Sequence, residues 1–184
     1  MKRRRALRLA LGLPAGFAAT LLLGGHTPYR QWEIYRKKHL LIGCHKADPE
    51  TYDIAKRIVA LLADHLPAAK SRVARAPNAG RLASLLGTAQ MDVATLDLPE
   101  AAAMAEGTGA FEPYGRIVLR LLTPVDGRLL VARADFPERH AWLVTSALSG
   151  SDLVSSLEQP GDPGIPWHPG SLAFLEDRPA PGDG

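Results

Sequence analysis

The chain has 184 residues with 22 Lys and Arg against 19 Asp and Glu. Nine of those bases but only one acid fall in residues 2–38, which leaves 13 bases and 18 acids from 39 to 184. The formal charge of +3 therefore belongs to the N-terminal segment, and the acidic remainder excludes nucleic-acid binding driven by a basic domain surface.

Residues 1–27 begin with Lys2, Arg3, Arg4, Arg5 and Arg8 and continue into a run from Leu9 to Gly25 built mostly of Leu, Ala and Gly. About 20 apolar residues span a bilayer as a helix. The run ends Leu21-Leu22-Leu23-Gly24-Gly25 without a small-x-small cleavage site, so it reads as an uncleaved transmembrane anchor ahead of a removed signal. Either form exports the C-terminal domain. Residues 28–38 form a basic, aromatic stalk in which Tyr29, Trp32 and Tyr35 recur every three residues. That spacing suits one helical face at the membrane–water boundary or one packed back onto the domain.

Residues 39–177 are one domain's worth of chain. His39–Cys44 is a short apolar run, expected as the first strand. Thr51–Leu66 carries Ile54, Ala55, Ile58, Val59, Leu62 and Leu66 on one helical face, and Pro67 ends it. Ser71–Arg75 alternates as a second strand; Asn78 caps a helix through Leu86 that Gly87 stops. Met91–Leu96 is a third strand, and Pro99 opens an alanine-rich helix to Glu106. Ile117–Leu122 and Leu129–Arg133 are strands joined by a turn at Val125-Asp126-Gly127. Glu138–Leu148 is a helix, a short one is expected over Asp152–Leu157, and Pro160–Gly164 is a loop. Residues 178–184 read as a disordered tail. Strands alternating with helices predict an α/β fold with a largely parallel sheet covered on both faces.

In this order the chain resembles one lobe of the TAXI family of periplasmic solute-binding proteins, which serve tripartite ATP-independent periplasmic (TRAP) transporters. Four segments carry the resemblance: Leu41-Ile42-Gly43 followed by Tyr52, the stretch Leu82–Val93, the string Gly107-Thr108-Gly109-Ala110-Phe111, and Ile165-Pro166-Trp167-His168-Pro169-Gly170. The resemblance implies a single three-layer lobe of the type II periplasmic-binding fold, preceded by the N-terminal transmembrane helix. It also implies a single-pass place in a bacterial inner membrane with the domain facing the periplasm, and a small organic acid as ligand.

The chain departs from that family in two ways. Strand Leu129–Arg133 leads directly into Asp135-Phe136-Pro137-Glu138, so the second lobe that would close a cleft is missing; a buried small-molecule site needs two walls. The loops that should approach an anion have also changed. Cys44-His45-Lys46-Ala47-Asp48-Pro49-Glu50 replaces a glycine-rich turn, and its proline lacks an N–H while its acids repel a carboxylate. Ala76-Pro77-Asn78 and Asp97-Leu98-Pro99 replace the other two polar loops.

The rim residues implied as ligand-binding are His45, Lys46, Tyr52, Asn78 and Asp97. Each also has a plain structural reading: a solvated loop for His45 and Lys46, packing for Tyr52, and helix caps for Asn78 and Asp97. His168 belongs to a rigid packed turn, and Cys44 is a small core residue. No zinc-ligand spacing, phosphate-binding loop or nucleophile elbow is present, so no catalytic residue, metal or cofactor is expected. Two functions are open: capture of a small carboxylate, or docking of a membrane or periplasmic protein on the face where a second lobe would sit. Besides such a partner, the anchor makes membrane lipid a partner of the chain.

Overall fold

The computed structural model describes residues 38–154 and 164–182. The expected transmembrane segment lies outside the described residues. Among those described, no helix is long and apolar enough to cross a membrane.

Five strands, β1 (Leu41–His45), β2 (Arg72–Ala76), β3 (Val93–Leu96), β4 (Leu119–Val125) and β5 (Arg128–Arg133), form one sheet in the order β2-β1-β3-β5-β4. Among the described residues five α-helices accompany them: α1 (Pro49–His65), α2 (Ala79–Gly87), α3 (Leu98–Glu106), α4 (Glu138–Leu148) and α5 (Pro169–Leu175). The α/β reading is correct, whereas the largely parallel sheet needs correction. β1 pairs parallel with β2 and β3, but β5 is antiparallel to both β3 and β4. The cause is local. Asp126 and Gly127 both have positive φ, 47° and 73°, the signature of a two-residue hairpin turn, and such a turn can join only antiparallel strands. The hairpin then inserts β5 against β3.

Helices cover both faces. On one, α1 and α4 bury Ile54, Ile58, Leu62, Val144 and Leu148 against Ile42, Val93 and Leu130. On the other, α2 and α3 bury Leu82, Leu86 and Met104 against Ala94, Leu129 and Val131. Consecutive residues of β5 thus enter opposite cores, as expected of a strand buried on both sides.

Each of the first three helices begins at a polar cap. Asp48 accepts from the Glu50 and Thr51 amides at 3.0 and 3.4 Å, Asn78 from the Arg81 amide at 2.8 Å, and Asp97 from the Glu100 amide at 2.7 Å. The Asp48 cap starts α1 at Pro49, two residues before the periodicity suggested, because proline is well suited to the first helical position.

The last helix was not expected from the sequence. Pro166-Trp167-His168 runs beside the β4 edge, where the Leu121 amide donates to the Pro166 carbonyl at 2.9 Å and the His168 amide to the Leu121 carbonyl at 2.8 Å. α5 then packs on α4 with Trp142 and Phe174 edge to face at 5.4 Å. The first residues of the expected disordered tail run against α4: Trp142 Nε1 donates to the Arg178 carbonyl at 3.0 Å, and an Arg139 guanidinium nitrogen to the Pro181 carbonyl at 3.4 Å. Residues 151–154 form a turn rather than the start of the short helix expected over 152–157.

Candidate functional site

The C-terminal ends of β1, β2 and β3 lie at one edge of the sheet, with the N-termini of α1, α2 and α3 beside them. Sheets with parallel strands place ligands at such an edge. Four of the five candidate residues stand there: His45 as the last residue of β1, Lys46 just after it, Asn78 after β2, and Asp97 after β3. The antiparallel run of β5 brings Arg128 to the same rim, since Leu129 pairs with Leu96.

His45 is buried, and its Nε2 lies 3.0 Å from both carboxylate oxygens of Glu100 on α3. With the Glu100 carboxylate as acceptor, Nε2–H is the donor. Nδ1 is buried and has no hydrogen-bond partner among the described residues. Burial pushes the Glu100 carboxyl above its ordinary value, partly offset by the bond to His45, while Asp97 and Asp48 push it further up. The pair is an orienting contact between β1 and α3.

Lys46 is exposed, and its amide donates to the Ala76 carbonyl at 3.1 Å. The side chains of Asn78 and Asp97 are both taken up in capping. Tyr52 departs from the rest. Its ring packs against the α1 side of the sheet, with the Arg75 guanidinium 4.4 Å from its centroid and the Lys56 ammonium at 4.7 Å. His45, by contrast, meets α3 on the opposite face. The structure therefore brings His45, Asp97 and Glu100 together and puts Tyr52 elsewhere.

Glu100 and Arg128 are the rim residues that sequence reasoning missed. Arg128 meets Glu50 at 2.6 Å and Asp48 at 3.5 Å. Neither residue carries a local signal: a glutamate in a first turn reads as a helix-dipole partner, and an arginine beside a turn reads as solvated.

The rim's chemistry is dominated by its caps. At each of these helix starts one or two of the amides that could hold a small anion already donate to the caps Asp48, Asn78 and Asp97. Among the described residues, the hydrogen-bond partner of the His45 ring is the Glu100 carboxyl rather than a nucleophile. Cys44 points to the other face, and burial pushes its thiol up to about 11; a thiol that high is inert in the folded state. In native buffer Cys44 should therefore label with a maleimide at least a hundredfold more slowly than in urea, a difference mass spectrometry can read. Comparable rates would show that β1 and the core around it open readily. Among the described residues, no group of three or more His, Cys, Asp or Glu side chains could hold a metal ion.

Two grooves lie away from the rim. One of about 500 Å³ sits at the opposite end of the sheet, with Leu40, Leu66, Phe136 and Val144 among its walls. Another of about 440 Å³ continues from it between α1 and α4, sharing Leu66 and Leu143.

No family model matches the chain, and no curated protein matches it.

Proposed function

We propose that this chain is a membrane-anchored, periplasm-facing, single-lobed relative of the TAXI solute-binding proteins, with the type II periplasmic-binding fold. In this reading it is non-catalytic and no longer captures a small carboxylate; it works as an accessory domain that docks a membrane or periplasmic protein on its rim. The observation that carries the reading is the self-capping of α1, α2 and α3. Asp48, Asn78 and Asp97 each take up one or two of the amide donors, and Asp48, Glu50, Asp97 and Glu100 outnumber Lys46, Arg81 and Arg128. Such a rim repels a carboxylate and suits a partner surface carrying Lys or Arg.

A second reading, capture of a small organic acid, draws on Lys46 and on two buried nitrogens without partners among the described residues, His45 Nδ1 and Arg128 Nε.

Thermal-shift measurement against a panel of small carboxylates separates the two. A ligand at a hundred times its dissociation constant stabilises by about 2.7 kcal/mol, so a clear rise in melting temperature with one acid would overturn the docking reading. The result expected is no shift. Photo-crosslinking residues placed at Lys46 and Glu50 in the intact membrane should then give a discrete adduct that Val118, at the opposite end of the sheet, does not give. Adducts at neither rim position would sink the proposal.

A further inference from the structure

The groove at the base of the sheet is lined by Lys38 and His39 themselves. The segment 28–37 therefore enters the described fold at the groove's mouth. Its floor is apolar, made by Leu40, Leu66, Phe136 and Leu143 among others. Two acids, Asp92 and Asp135, border it and share one guanidinium, Arg133, at 3.8 and 2.5 Å, with Lys38 on the same groove.

Segment 28–37 carries the complementary chemistry. It has Tyr29, Trp32 and Tyr35 at three-residue spacing, interleaved with Arg30, Arg36 and Lys37. Ten residues reach up to about 35 Å when extended, and the last of them adjoins Lys38 on the groove. Large aromatic rings bury on the order of 150–250 Å² each, and a groove of about 500 Å³ falls within the range that encloses a compact apolar group.

We propose that the groove between Leu40, Phe136 and Leu143 is the docking site of the chain's own segment 28–37, with its aromatic side chains on the apolar floor and Arg36 and Lys37 beside Asp92 and Asp135. Docked there, the segment fixes the base of the sheet next to the N-terminal anchor and turns the rim of His45 and Arg128 away from it. The inference stands independently of what the rim binds.

Trypsin tests it on the full chain, in detergent and again in lipid nanodiscs. Cleavage after Arg36 and Lys37 should be at least tenfold slower in the wild type than in Leu143→Glu, in both settings. Equal cleavage would overturn the proposal. So would protection confined to nanodiscs, which would show that the bilayer covers the segment. Because Leu143→Glu could disturb folding, a second measurement decides independently. In a Cys44→Ser background, Tyr35→Cys with His140→Cys should form an intramolecular disulfide on mild oxidation, and Tyr35→Cys with Lys46→Cys at the far rim should not. No 35–140 disulfide, or both disulfides alike, would sink the idea.

Discussion

Replacing Gly170 with alanine is expected to destabilise the domain by about 3 kcal/mol or more, near the upper end of what overpacking costs. A β-carbon at that position would lie 1.9 Å from the Glu138 carbonyl oxygen and 2.7 Å from its carbonyl carbon. Both are backbone atoms at the start of α4, so no side-chain rotation relieves the clash. One helix must move off the other, and the contacts on either side go with it. Those contacts include the Trp142–Phe174 pair and the buried bond between the Thr145 and Ser171 hydroxyls at 2.8 Å. Gly43→Ala provides the comparison. Its β-carbon would meet Met91 Sδ at 2.3 Å and Leu82 Cδ1 at 2.9 Å. The thioether is the far end of a flexible side chain and can swing away, so the loss there should be smaller, about 1–2 kcal/mol. Urea midpoints for the two variants check the order. If Gly43→Ala proved the more damaging, the close seating of α5 on α4 would be mistaken.

His168 should make stability fall as the pH drops below about 6.5. It is 1% exposed, its Nε2–H donates to the Phe136 carbonyl at 2.9 Å, and its Nδ1 accepts the Gly170 amide at 3.2 Å. A second proton would have to sit on Nδ1, facing a donor and charging a buried ring. Burial accordingly holds the imidazole below its ordinary 6.5. The unfolded chain takes up that proton as the pH falls through 6.5 while the folded chain does not. The stabilisation is complete above that pH and is lost going down toward the folded-state value. One group contributes a slope of at most about 1.4 kcal/mol per pH unit. Glu100, raised by burial, works with the opposite sign: its ionisation costs stability as the pH rises above 4.5. The diagnostic is therefore the difference between wild type and His168→Gln, followed by denaturant unfolding from pH 7.5 to 5. The variant should lose about 1–3 kcal/mol at neutral pH through weakened bonds to two buried backbone groups, and the gap should narrow toward pH 5. A gap that stays constant would mean that the ring titrates alike in both states.

These two positions illustrate how far local signals reach. The sequence displays Pro166-Trp167-His168-Pro169-Gly170 as a turn, since two prolines and a glycine seldom open a helix interior. In the fold, His168 caps α5, Pro169 takes its first position, and Gly170 is small because α4 lies against it. The fourth strand also ends later than Leu122: β4 runs through Pro124 to Val125, because a strand at the sheet's edge tolerates a missing amide.

Period and punctuation alone determined most of the elements, the caps at Asn78 and Asp97, and the Asp126-Gly127 turn. Each rests on interactions among residues a few positions apart, where hydrogen bonding and sterics have few alternatives. The tertiary structure decided the rest. It set the insertion of β5 between β3 and β4, the pairing of His45 with Glu100 across 55 positions, and the arrival of Arg128 beside Glu50 across 78. It also turned Tyr52 to the face opposite His45. Such contacts depend on which strands become neighbours, and that choice is made by burying two apolar faces at once, a property of the whole chain that no short window of sequence contains.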